Sequence, residues 1–210
     1  MCRIGVHRVE RAKQNNQEAD GVIVLIELVS GSDVVDQTEA TNALVNISQD
    51  SAGCAAIQAQ HGMPALIAVA AASCPAKTVA LHALANLAAC SSCHAAIEDA
   101  RGIEVLLSAL RCAPPTSSRP AVKALARLAR SSAARQAICE GGGVEVLLAL
   151  VRERSSESRR FAAEALGVLG QDVAACQAIQ AAGGVDAISS LVREGTKNKK
   201  NKRTNKKSKA

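Results

Sequence analysis

The nine residues "GIEVLLSAL" (102–110) decide the fold, because the chain repeats the phrase at nearly constant intervals. It recurs as "GVIVLIELV" from Gly21, "GMPALIAVA" from Gly62, "GVEVLLALV" from Gly143 and "GVDAISSLV" from Gly184, so the opening glycines are spaced by 41, 40, 41 and 41 residues. Two further landmarks keep the same phase. One is "ALVNI" (43–47), "ALANL" (83–87), "ALARL" (124–128) and "ALGVL" (165–169). The other is Ile57, Ile97, Ile138 and Ile179, each five residues before the next opening Gly. Three landmarks sharing one period identify a repeat architecture rather than a chance match.

Within a period the apolar residues fall at three- and four-residue steps, as in Leu25, Leu28 and Val29 or Leu147, Leu150 and Val151, which is helical spacing. No segment sustains the two-residue alternation of a strand. Each period is therefore read as a short helix ending near the Ile, a sharp turn at the Gly, a second helix of about ten residues, a polar loop and a longer third helix. Glycine suits the turn because it accepts positive φ and permits close backbone approach. The loops "SGSDVVD", "AASCPAK", "RCAPPTSS" and "RERSSES" carry the expected breakers, and Pro120 is placed in the first turn of a helix, where its missing N–H costs nothing.

Composition supports a packed array. Hydrophobic residues make up 48% of the 210, but Phe161 is the sole aromatic, so the core must be assembled from Ala, Leu, Val and Ile, whose small members let helices approach closely. The net charge of +6 is local: eight of the 25 basic residues and none of the 19 acidic ones fall in "KNKKNKRTNKKSKA" (197–210). The body is nearly neutral. Residues 1–20 lack the apolar core of a signal peptide, so the eight cysteines are expected in a reducing compartment, cytoplasmic or nuclear. The longest stretch without Asp, Glu, Lys or Arg is broken by Gln58, Gln60, Gly62 and Pro64, and no membrane span is expected.

These landmarks resemble the armadillo repeat, with its Gly-opened second helix, a third helix ending in Ala-Leu-x-Asn-Leu, and an Ile before the next Gly; the related HEAT repeats usually lack this Gly and Asn punctuation. The resemblance covers roughly residues 19–195. It implies an all-α, right-handed α-solenoid of about four full units plus a partial fifth; by composition, residues 1–18 are read as a polar N-terminal extension or cap and 196–210 as a disordered basic tail. Units of this kind cannot bury their apolar faces alone, so stacking supplies one continuous core.

The resemblance further implies that the third helices line a concave groove holding an extended peptide, with a Trp and an Asn four residues apart on the exposed face. The Asn slot here holds Asn46, Asn86, Arg127 and Val168. The Trp slot holds Asn42, His82, Lys123 and Glu164. One turn earlier stand Thr38, Thr78, Arg119 and Arg160. Asn amides hold a peptide backbone without reading its sequence, whereas Arg presents paired donors for carboxylate or phosphate. The C-terminal half, with Arg119, Lys123, Arg127 and Arg160, is thus expected to take an acidic or phosphorylated segment, in the manner of β-catenin more than of importin α. At about 10 Å between stacked helices and about 3.3 Å per extended residue, four units hold a peptide of roughly a dozen residues.

Other signals compete. "CSSCH" (90–94) has the spacing of a c-type haem attachment and of half a zinc site, but its Cys90 falls in the helix-terminus slot of Asp50, Ser131 and Asp172, and His94 in that of Cys54, Arg135 and Cys176. The expectation is no cofactor and no metal. The tail residues Lys197, Lys199, Lys200, Lys202, Arg203, Lys206, Lys207 and Lys209 read as a nuclear localisation signal, a nonspecific nucleic-acid contact or a solvated end. No nucleotide-binding or hydrolase motif is present, so a noncatalytic scaffold or adaptor is expected. The alternatives are a nuclear import adaptor, a nucleic-acid-associated protein acting through the tail, and a ubiquitin-ligase adaptor.

Overall fold

The structure is a computed structural model that describes residues 19–112, 118–153 and 158–190. Its helices run in chain order as α1 (Ala19–Val29), α2 (Val34–Ile47), α3 (Ser51–Ala59), α4 (Gly62–Ala71), α5 (Lys77–Leu87), α6 (His94–Asp99), α7 (Gly102–Cys112), α8 (Arg119–Leu128), α9 (Ser132–Glu140), α10 (Gly143–Arg152), α11 (Ser158–Leu169) and α12 (Val173–Ala181). A 3-10 turn at Ser91–Cys93 leads into α6, and residues 184–190 are again helical. No strand occurs among the described residues. The extension 1–18 and the tail 196–210 lie outside them.

Two parallel rows build the solenoid. The third helices α2, α5, α8 and α11 pack in series, and beside them the second helices α1, α4, α7 and α10 do the same. The short first helices α3, α6, α9 and α12 link each unit to the next. Corners are sharp: α3 meets α4 at 92°. The core is one continuous body because the same slots are buried in every unit. Ala40, Ala80, Ala121 and Ala162 form one buried row, Ala43, Ala83, Ala124 and Ala165 a second, and Leu44, Leu84, Leu125 and Leu166 a third. Alanine in two of three rows is what lets successive third helices approach without aromatic spacers. Truncating a leucine of the third row, such as Leu125→Ala, would cost about 2–5 kcal/mol.

Of the two reasons expected for the landmark glycine, the structure bears out close approach and not positive φ. A Cβ on Gly62 would meet Ile57 Cγ2 at 2.8 Å, one on Gly102 would meet Ile97 Cγ2 at 2.5 Å, and ones on Gly143 and Gly184 would meet Ile138 and Ile179 Cγ2 at 2.4 Å. The Gly and Ile landmarks are therefore the two sides of one contact, which is why they share a phase. Positive φ belongs instead to the preceding residue: His61 (53°), Arg101 (58°), Gly142 (70°) and Gly183 (69°). The landmark Gly serves close approach, and its neighbour makes the turn.

Pro120 sits in the first turn of α8, as its chemistry requires, and is buried there. Ser118 and Ser158, at the starts of α8 and α11, share a buried hydroxyl contact of 2.8 Å. The contact joins the starts of the two helices.

Candidate functional site

Opposite the buried Ala and Leu rows, the third helices present a second set of side chains. Asn46, His82, Arg119, Arg160 and Glu164 are exposed, while Asn42, Asn86, Lys123 and Arg127 are half-buried between neighbouring helices. The register inferred from the repeat thus puts all nine on one face of the array, α2 contributing Asn42 and Asn46, α5 His82 and Asn86, α8 Arg119, Lys123 and Arg127, and α11 Arg160 and Glu164.

Asn86 and Arg127 each reach back to a main-chain carbonyl of the preceding unit. Asn86 Nδ2 donates to the Val45 carbonyl at 3.5 Å and to Ser48 Oγ at 3.2 Å, both in the preceding unit. One unit later, Arg127 Nη1 donates to the Ala85 carbonyl. Val45 and Ala85 are equivalent residues in the last turns of α2 and α5, where carbonyls lose their helical donors. At these ends the N–H groups of Gln49 and Ala89 turn instead to Asn46 and Asn86 oxygens, at 3.3 and 2.9 Å. The Asn slot therefore caps the helix below. Val168, in the same slot of α11, has no donor to offer. This cross-unit role was not legible in the spacing, which gives the face a side chain lies on but not whether its donor points outwards or back. Asn46, in the first described unit, accepts from Gln49 Nε2 at 3.4 Å.

Of the remaining groups, Arg119, Lys123 and Arg160 carry positive charge and Glu164 negative. Partial burial of its ring holds the His82 imidazole below its ordinary range, and the charges of Lys123 and Arg119 on the next helix press it lower. Burial likewise lowers the Lys123 ammonium, and the charges of Arg127 and Arg119 add to this. His82, Arg119, Lys123 and Arg127 thus share one electrostatic neighbourhood across α5 and α8. Arg160 stands on α11 with its guanidinium 5.8 Å from the Phe161 ring centre.

The "CSSCH" stretch has a structural reading that the aligned slots bring out. His94 Nε2 is 3.0 Å from the Ala88 carbonyl, six residues earlier. In the same slot Cys54 Sγ donates to Ser48 O at 3.4 Å, Arg135 Nη1 to Ala129 O at 3.2 Å and Cys176 Sγ to Gly170 O at 3.0 Å. All four side chains tie down the chain where a third helix ends. Arg135 adds a paired contact to Asp172 of the next unit, Nε to Oδ2 at 2.5 Å and Nη2 to Oδ1 at 3.3 Å. Asp50 and Ser131, in the Cys90 slot, cap α3 and α9 by accepting from Gly53 and Ala134 N–H. Among the described residues, no single helix is long and apolar enough to cross a membrane.

The chain superimposes on a designed armadillo repeat protein in complex with the peptide (KR)4 with a TM-score of 0.77 and 18% identity, over 87% of this chain and 83% of that one. It has the armadillo-repeat fold. An engineered protein 32% identical aligns with a TM-score of 0.79, covering 90% of this chain and 81% of its own. The array spans 43% of a longer engineered chain that is 34% identical. It also matches a chain from a study of the interaction between cadherin and β-catenin, with a TM-score of 0.76 and 20% identity, over 85% of this chain and 36% of that one. No family model and no curated protein sequence matches.

Proposed function

We propose that this armadillo array is a noncatalytic adaptor whose groove holds an extended peptide, with a carboxylate- or phosphate-bearing stretch lying over His82, Arg119 and Lys123. One observation carries the reading: the ionisable side chains that α8 brings beside His82 of α5 are Arg119, Lys123 and Arg127, all positive. Packing like charges together on one face opposes folding, and an anionic ligand relieves that repulsion. Arg127 has a lesser part in ligand contact than the sequence suggests, because it already donates to Ala85. Arg160 extends the basic surface towards α11, and Asn42 and Asn46 offer uncharged amides at the other end. The designed armadillo protein is in complex with the basic peptide (KR)4; the cations on the third helices of this chain favour the opposite ligand charge.

The test is fluorescence polarisation with labelled peptides of about twelve residues, one of alternating Asp and Ser and one of alternating Lys and Ser. The acidic peptide should bind, weaken as salt rises, and lose at least about tenfold in affinity when Arg119 and Lys123 are both changed to Ala. Tighter binding of the basic peptide, or an unchanged affinity in the double variant, would remove the proposal. The first of these outcomes would favour an import-adaptor reading.

A further inference from the structure

His82 gives the groove a chemistry that arginines and lysines alone lack. We infer that the groove takes up a proton at His82 when it binds an anion, so that it holds an acidic segment more tightly in mildly acidic than in neutral solution. This rests on the peptide-groove reading and adds a regulation to it.

The argument starts from position. His82 and Lys123 occupy equivalent slots on α5 and α8, which pack side by side, and Arg119 lies one turn before Lys123 on the same face. Histidine is the side chain whose unperturbed charge change falls near neutrality. The groups around it are mostly uncharged or positive. Helix α8 brings Arg119, Lys123 and Arg127 and no acid; α5 itself brings only Lys77; α4 has no ionisable residue. Helix α2 places Thr38, Asn42 and Asn46 on the shared face, and its ionisable residues are Asp36 and Glu39. In the ligand-free groove a protonated His82 would add a further cation beside Lys123 and Arg119, and its imidazole is accordingly held towards the neutral form.

An anion over Lys123 and Arg119 reverses the local sign. The imidazolium then gains an opposite charge, its affinity for a proton rises, and by linkage the proton raises the affinity for the anion by the same factor. A rise of one pKa unit on binding corresponds to a tenfold difference in affinity between the two protonation states. The other described histidines lie apart from the groove face: the His94 ring is hydrogen-bonded to Ala88 O, and His61 makes the turn before α4.

The experiment uses the full chain and a peptide rich in Asp, whose carboxylates stay ionised across the range, at fixed ionic strength. Between about pH 7.8 and about pH 5.8 the affinity should rise by roughly three- to tenfold, and titration calorimetry in two buffers of different ionisation enthalpy should register proton uptake on binding. His82→Gln, at an exposed position and checked for folding by circular dichroism, should bind with little pH dependence and no matching proton uptake. Binding that ignores pH in the unchanged protein, or a pH dependence that survives in His82→Gln, overturns this inference and leaves the groove reading standing. Failure of the peptide to bind at any pH overturns both.

Discussion

The Arg127 guanidinium on α8 donates to the main-chain carbonyl of Ala85 on α5, 42 residues earlier. The contact repeats the one that Asn86 makes to Val45 a unit before, so two different side chains in one slot do the same work at successive joints. Arg127→Ala should therefore act first on stability, at about 1.5–3 kcal/mol for a lost charge-assisted hydrogen bond, and Asn86→Ala at about 1 kcal/mol. Urea unfolding checks the order. In peptide binding the ranking should invert, with Lys123→Ala more damaging than Arg127→Ala, because Lys123 is not tied to the neighbouring helix.

The turns before α4 and α7 place non-glycine residues in the left-handed region, at His61 and Arg101. The equivalent turns before α10 and 184–190 use Gly142 and Gly183. His61→Gly and Arg101→Gly should each stabilise the protein by about 1 kcal/mol, the usual cost of that conformation for a side chain with a Cβ. Arg101 gives up only an exposed 3.9 Å ion pair to Glu104, which contributes little. One residue on, the sign reverses: Gly143→Ala puts a Cβ 2.4 Å from Ile138 Cγ2 and 2.6 Å from the Ile138 carbonyl, and should cost about 2 kcal/mol or more. Thermal melts of the paired variants test both directions.

The cysteines should separate by reactivity. Burial, and after it the hydrogen bond and nearby charge of Cys90, push the Cys54 thiol up to about 12. Burial raises Cys93 and Cys139 as well. At pH 8 a thiol of pKa 12 is ionised to roughly one part in ten thousand, and the thiolate is the reactive form. Iodoacetamide followed by mass mapping should label the exposed Cys112 quickly and Cys54, Cys93 and Cys139 only after denaturation. Rapid native labelling of Cys54 would contradict the packing of α3 against the end of α2.

Much of this architecture was legible because repetition reports burial. The Ala and Leu rows and the Gly–Ile pair recur at one period, and recurrence at 41 residues means the same surroundings each time. Polar side chains escaped that logic. Whether Asn86 and Arg127 face a ligand or reach back to Val45 and Ala85 depends on the separation of neighbouring helices and on which carbonyls the helix ends leave open, neither of which spacing encodes. The turn geometry was misplaced by one residue for a related reason: two of the four left-handed positions are His and Arg, so the sequence offers no glycine there to mark them.

The joint between the last two units makes a sharper test of the slot held by Cys54, His94, Arg135 and Cys176. Arg135 does what its counterparts do, donating to Ala129 O, and it also forms the paired contact to Asp172. The hydrogen bond from Arg135, reinforced by its charge, holds the Asp172 carboxyl below its ordinary range. A carboxylate with a depressed pKa adds stability above the unfolded value of about 3.9 and loses it as pH falls through the folded one. Asp172→Asn should accordingly melt earlier than the unchanged protein at pH 7, with the gap closing as the solution is acidified below about pH 4 and narrowing as salt is added. Arg135→Cys, which installs the residue found in the second and fifth units, keeps a donor for Ala129 and should resemble Asp172→Asn. Arg135→Ala removes both contacts and should melt lower than either. If Arg135→Cys and Arg135→Ala melt together, the carbonyl tie contributes nothing, and the shared slot is a consequence of the repeat rather than a support for it.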